Sequence, residues 1–486
     1  MKVALGGRAG LVPALVCSVQ FVDVLGVTVL VVALPAVQRD LVLDPATLSW
    51  VAAAYPLFFG GLLIVGGRVV DTYGRRAVFL GGTLVVTAAS AVCALAPHGA
   101  VLLAGRALQG IGAAVAVPAA LAVLLAVFPP GPRRDRALGA WTLSGALGGA
   151  AGFVLGGLVT EAVGWRWLFA ALVPLGVAVV LFARRAIEAT KGTGTRPDVV
   201  GALLATATVI LLILGFTRLG EHGLADWTVW LPLMSSASLG VAFLAVERTV
   251  RDPLVPPWVW SVGSLTLGGV VALVLTFVTS GANVVGTLFL QQVLGRSAGM
   301  SGAVFLAFSV AVALGSAVAA TAVGRLGREW AMAAGLIVVA AAMTVGAAAV
   351  DRRALVLFLV SLVLSGMGLG VASVASTAHG TSTATDGNSG LYSGVLNAAA
   401  QIGTAVGIAV LLAGVAIGAG PPPRSLDATA HGQAVAYLLA GAVALFTAVT
   451  VALSTGRRRR HRPAARRPGD GAGEAAVDID RHERHG

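Results

Sequence analysis

Two ionisable side chains, Asp23 and Arg106, fall well inside long apolar runs of this 486-residue chain. A charge in such a run costs several kcal/mol unless it meets a partner or a wet cavity, so residues of this kind mark ion and substrate pathways. A carboxylate that binds and releases a proton, sensed by a nearby guanidinium, is one chemistry this pair supports; a structural Asp–Arg pair that locks a helix bundle is the other. Uncharged polar residues in other apolar runs are candidates for lining a cavity: Gln20, Tyr55, Gln109, Asn283, Asn397 and Gln401. Asn397 and Gln401 are four apart and share a helix face, and Gln20 shares the face of Asp23. For each alone, an interhelical hydrogen bond is as good a reading as ligand contact. Together they predict a weakly polar pocket suited to hydrophobic small molecules, since sugars or phosphate esters would want more fixed polar or cationic groups.

The elements that must hold these residues are membrane helices. With 57% hydrophobic and 11% charged residues, the chain has too little polar surface for a water-soluble globule. Its 64 glycines suit close helix approach in lipid. A span needs about 20 apolar residues. Breaking the chain at its charged and Gly/Pro-rich gaps predicts fourteen spans, near 11–34, 48–69, 77–96, 100–127, 137–160, 166–184, 199–218, 228–246, 264–290, 299–322, 330–350, 354–377, 391–415 and 432–454. The first run continues past Asp23 with no A-x-A pattern and reads as a retained span, not a cleaved leader.

An even number of spans puts both termini on one side. About 25 Lys and Arg lie in the termini and even-numbered gaps against about 7 in the odd-numbered ones, so the positive-inside rule makes both ends cytoplasmic. The net charge of +12 is therefore read as topology and attraction to anionic lipid, not as a nucleic-acid footprint. Residues 456–486, rich in Arg, Pro and Gly, are expected to form a disordered basic tail. Cys17 and Cys93 read as packing residues, and no disulfide, metal cluster or cofactor motif is present. Neither is a G-x-S-x-G, H-E-x-x-H or P-loop pattern, so no catalytic residue and no enzyme activity is expected. Glu161 and Arg166 read as a surface pair, and Glu247 as a solvated carboxylate in the gap after span 8.

The gap after span 2 reads GGRVVDTYGRRAVFL. Gly67, Asp71, Gly74, Arg75 and Arg76 in it resemble the G-x-x-x-D-x-x-G-[RK]-[RK] signature of the major facilitator superfamily. A helix end, a carboxylate, a turn glycine and two arginines make sense as a charged latch, although a positive-inside loop explains the arginines alone. TVLVVALP at 28–35, SWVAAAYPL with Trp50 and Tyr55, and LLAGRALQGIGAA with Arg106, Gln109, Gly110 and Gly112 are similar to segments of that superfamily's fourteen-helix drug–proton antiporter family. In span 5, GGAAGFVLGG resembles the antiporter motif through Gly148, Gly152, Gly156 and Gly157, followed by WRWLF at 165–169.

Three departures accompany the matches. The family's usual helix 1 aspartate falls on Gly26, with Asp23 one turn earlier; the span 5 proline is Phe153; and the Asn before the span 6 proline is Leu172. The resemblance implies an all-α architecture of two six-helix bundles, at 1–190 and 261–455, with two inserted helices in 191–260. It also implies export of hydrophobic drugs, antibiotics or toxic metabolites in exchange for protons by alternating access, with Asp23 and Arg106 as the proton-coupling pair. A proton-coupled or facilitated importer of a small metabolite, or a membrane sensor that transports nothing, are the alternatives. A monomer in the plasma membrane, contacting lipid, suffices for alternating access, and the Ala, Gly, Val and Arg bias suits a bacterium with a GC-rich genome.

Overall fold

The computed structural model describes residues 8–128, 132–188, 199–250, 253, 255–383, 389–420 and 425–460. Fifteen α-helices occupy them: α1 (Arg8–Asp40), α2 (Pro45–Tyr73), α3 (Arg75–Ala94), α4 (Gly99–Val127), α5 (Pro132–Ala162), α6 (Arg166–Ala170), α7 (Leu172–Ala186), α8 (Val199–His222), α9 (Trp227–Glu247), α10 (Gly263–Leu288), α11 (Ala298–Leu326), α12 (Arg328–Asp351), α13 (Leu355–Gly380), α14 (Ser389–Ala419) and α15 (Leu426–Arg460). They supply 14 helical stretches long and apolar enough to cross a membrane, matching the expected spans one for one. The chain is a multi-pass membrane protein. In lipid each backbone group must be satisfied within its own segment, which is why apolar runs of this length become helices even where Pro13, Pro35, Pro56 and Pro118 interrupt the ladder.

Two boundaries differ from expectation. Span 6 crosses as one stretch, Arg166–Ala186, but its helix is interrupted at Ala171, between α6 and α7. Pro174 lacks the N–H that would bond to the Ala170 carbonyl, and the helix breaks there. At the other end of the chain α15 stays helical through Arg460, so the first tail arginines extend the last helix, where positive charge is favourable at a helix C-terminus. Residues 461–486 lie outside the described residues.

Helix ends are set by familiar local chemistry. The Asp44 and Asp226 carboxylates cap α2 and α9 by accepting from the Thr47 and Thr228 backbone N–H groups, at 2.9 and 2.8 Å. Bonds from Thr228 hold the Asp226 carboxyl below its ordinary value. Gly74 and Gly327, at φ 87° and 86°, make the tight turns from α2 to α3 and from α11 to α12, a backbone region that glycine enters without strain.

The packing repeats. In the first half α1 runs along α5, and α4 packs on both α2 and α3; in the second, α10 runs along α14, and α13 packs on both α11 and α12. The halves meet along two seams, α2 with α14 and α5 with α11; α8 lies against both helices of the first, and α9 packs on α8. Gly148, Gly152 and Gly156 lie where α5 presses on α1: a Cβ at each would meet the Phe21 carbonyl, the Thr28 hydroxyl and the Val29 carbonyl, respectively. Gly157 faces the start of α11. Gly403 and Gly407 repeat the device on α14, against the Leu273 and Phe277 carbonyls of α10.

Two readings of charged residues are corrected, one in burial and one in pairing. Glu247 is buried, at 2% exposure, and its Oε2 accepts from the Val255 backbone N–H at 2.8 Å, anchoring the connection into the second half. Glu161 and Arg166 do not pair with each other. Glu161 accepts from the Gly299 N–H at 2.8 Å, where a carboxylate meets the positive end of α11, and Arg166 pairs with Asp40 while stacking on Trp165 at 4.5 Å.

Candidate functional site

Asp23 sits mid-way along α1 and is 8% exposed; Arg106 on α4 is 1% exposed. They do not form a direct ion pair. The Tyr55 hydroxyl, from α2, donates to Asp23 Oδ1, and the Arg106 guanidinium lies over the Tyr55 ring, 4.7 Å from its centre. Arg106 Nη1 donates to the Gly26 carbonyl and to Gln109 Oε1, each at 3.1 Å, and these bonds draw it away from the carboxylate. Gln109 Nε2 donates in turn to the Ser90 hydroxyl on α3 at 2.8 Å. A carboxylate, a phenol, a guanidinium, an amide and the Ser90 hydroxyl, drawn from four helices, thus form one connected polar group in an apolar surround. Buried groups of this kind are electrostatically strong because the local dielectric is low.

The sequence places the components where the fold needs them. Arg106 and Gln109 are three apart and so share a face of α4. Gly110 lets α2 approach that face closely, since a Cβ there would meet the Tyr55 carbonyl at 2.5 Å. Asp23 and Gly26 both line one chamber of about 40 Å³ in the first half, so a carboxylate at either position reaches the same space.

The other polar candidates are divided. Tyr55 and Gln109 join Asp23 at the chamber. Asn283 lines a different cavity, of about 60 Å³, on the seam between the halves, together with Thr28, Phe153, Ser280 and Thr404. Gln20 lies against Gly145 on α5, Gln401 against Gly60 on α2, and Asn397 is exposed. Sequence reasoning missed Thr83 and Thr87, which line the chamber, and Ser280 and Thr404, whose hydroxyls meet at 3.2 Å. For α3 the signal was present: Thr83, Thr87 and Ser90, at steps of four and three, form one helix face.

At the end of the molecule where α1 begins and α15 finishes, here termed the terminal end, Arg76 donates to the Arg184 carbonyl at 2.6 Å, placing a cation at the C-terminus of α7. Arg68 reaches the Pro253 carbonyl at 3.4 Å. Gly67 has open space beside it, Gly74 makes the turn and Arg75 opens α3. The Asp71 side chain lies outside the described ones. At the opposite end the α5–α11 seam is closed. Phe153 stacks on Phe305 with ring centres 5.0 Å apart and meets Phe308 edge-on at 6.2 Å, while Gln291 Nε2 donates to the Val32 carbonyl at 2.9 Å.

A family model, the Major Facilitator Superfamily, matches residues 16–282 and 265–479. The chain belongs to that superfamily. Among similar proteins, the cephamycin export protein CmcT of Amycolatopsis lactamdurans is 36% identical to this facilitator over 468 residues, covering 90% of this chain and 92% of the relative. The puromycin resistance protein pur8 of Streptomyces alboniger is 34% identical, covering 89% of each. A solved bacterial homologue of the human lysosomal transporter Spinster, inward-facing and unoccupied, shares the fold: TM-score 0.65, 16% identity, covering 94% of this facilitator and 99% of that chain.

Proposed function

We propose that this facilitator exports a hydrophobic small molecule, of the kind represented by antibiotics and drugs, across the bacterial plasma membrane in exchange for protons. The observation that carries the reading is the buried Asp23, hydrogen-bonded to Tyr55, whose ring lies beneath Arg106. The names of the similar proteins, an antibiotic exporter and an antibiotic resistance protein, support the substrate class and the direction.

On this reading the halves at 1–190 and 261–455 rock about their two seams, with the helices in 191–260 riding against one of them. The 60 Å³ cavity on the seam is far below the roughly 300–1,000 Å³ of drug-sized pockets, so the halves must part to admit a substrate. With both termini cytoplasmic, as the arginine distribution directs, the closed aromatic seam faces outward and the Arg76 contact faces inward. Ionised Asp23 accepts from Tyr55 and ties α1 to α2 beside Arg106; protonation removes its charge and relaxes that tie. Only such a difference between states lets a proton bias the equilibrium.

The test is dye extrusion from cells and uptake into inside-out vesicles, with and without a proton gradient. Asp23→Asn, inserted at wild-type level, is expected to abolish gradient-driven movement. Gradient-driven flux at the wild-type rate in that variant overturns the reading.

A further inference from the structure

The chamber beside Asp23 and the cavity on the seam share no lining residue. The seam cavity draws its wall from both halves, whereas the chamber is lined by α1, α2, α3, α4 and α7 alone. Its 40 Å³ is too small for a drug but admits a few water molecules, each needing about 10–15 Å³ on the same measure.

Its polar wall is organised. Thr83 Oγ1 donates to the Phe79 carbonyl and Thr87 Oγ1 to the Thr83 carbonyl, both at 2.7 Å, and Ser18 Oγ donates to the Ala14 carbonyl at 2.8 Å. Each hydroxyl commits its proton to its own helix and keeps its lone pairs for a donor in the chamber. Three such acceptors beside a carboxylate supply the two to four polar partners that an internal water requires. The chamber also has a direction: Ser18 is nearer the start of α1 than Asp23, and Thr83 nearer the start of α3 than Thr87, so it runs from Asp23 toward the terminal end.

We propose that this chamber is a proton-exchange site in which water, held by Thr83, Thr87 and Ser18, carries the proton between Asp23 and the terminal end, apart from the substrate's route through the seam. In the release step the Asp23 carboxyl transfers its proton to a chamber water. The resulting carboxylate accepts from Tyr55, and the hydronium passes its excess proton along the hydroxyl-lined wall. The titratable groups facing Asp23 are Tyr55 on α2 and Arg106 on α4, with Cys93 of α3 beyond, within reach of Gln109. The α7 side of the chamber is Leu172, Leu175, Gly176 and Val179, which contribute no charge. The inference rests on the proton-driven reading given above.

The experiment uses the full chain in proteoliposomes, with ethidium as the transported dye under an imposed pH gradient. Infrared spectra follow deuteration of the Asp23 carboxyl after transfer to heavy water. Replacing both threonines with the isosteric valine (Thr83→Val, Thr87→Val) is expected to lower turnover and the deuteration rate about tenfold, the scale of one lost hydrogen bond to water, with KM for ethidium unchanged. Gly176→Ala, whose Cβ would press on the Thr87 hydroxyl, is a second variant with the same expected effect. Asn283→Leu, in the seam cavity, should instead raise KM. Wild-type turnover and deuteration in the threonine variant, while Asp23→Asn still abolishes coupling, overturns the chamber and leaves the antiport reading standing. Coupled flux that survives Asp23→Asn overturns both.

Discussion

Phe153→Ala is expected to open the α5–α11 seam at the end opposite the termini. Phe153 is 3% exposed, stacks on Phe305 and meets Phe308 edge-on. Each aromatic pair is worth about 0.5–1.5 kcal/mol beyond area burial, so the two contacts together supply about 1–3 kcal/mol. The rings come from different halves, so this energy is present only while the seam is closed, and its loss shifts the closed–open equilibrium by about 5- to 150-fold. Phe305 retains its contact with Phe358 within the second half, so truncation does not unravel the cluster. The assay is a spin-label distance between Val163→Cys and Arg296→Cys, exposed sites beside α5 and α11, with Cys17 and Cys93 replaced by serine. The expected result is a new population at longer distance, with Phe153→Leu intermediate. An unchanged distance distribution in a well-folded Phe153→Ala protein would refute the idea that this stack holds the halves together.

Arg106→Lys keeps the charge, but an ammonium cannot reproduce the planar contact over Tyr55 while bonding to Gly26 and Gln109, so coupled transport should fall at least tenfold with insertion intact; a wild-type rate in the vesicle assay would contradict this. At Asp44, burial acts to raise the carboxyl but is outweighed by the bonds from Thr47, and the net effect holds it below the usual value of 3.8. A lowered folded value means that the cap's contribution is present above that pH and is lost as pH falls through the lowered value, so the thermal unfolding midpoint of wild type should drop slightly more than that of Asp44→Ala between pH 5 and about pH 3.

Much of this was legible in the sequence. Spans follow from the length of apolar runs, because lipid leaves the backbone no alternative to helix, and all fourteen appear where the runs fall. Asp23 and Arg106 announced themselves by the cost of burying charge. Gly74 at the α2–α3 turn and the α5 small-residue ladder were visible because a turn with positive φ or a close helix contact admits few residue types. Partnership was not visible. Asp23 and Arg106 each bond to the polar groups that packing brings near them, Tyr55 for one and Gly26 with Gln109 for the other. The break at Ala171 was readable in Pro174, but the fates of Glu161, Arg166 and Glu247 were not. Their partners, Gly299, Asp40 and Val255, are fixed by helix packing and chain routing rather than by local pattern. Local composition thus determined which segments enter the membrane and which residues are too costly to be there idly. Only the tertiary structure decided that Asn283 belongs to the seam and Asp23 to a chamber of its own, because which helix faces meet depends on side-chain packing across long sequence separations.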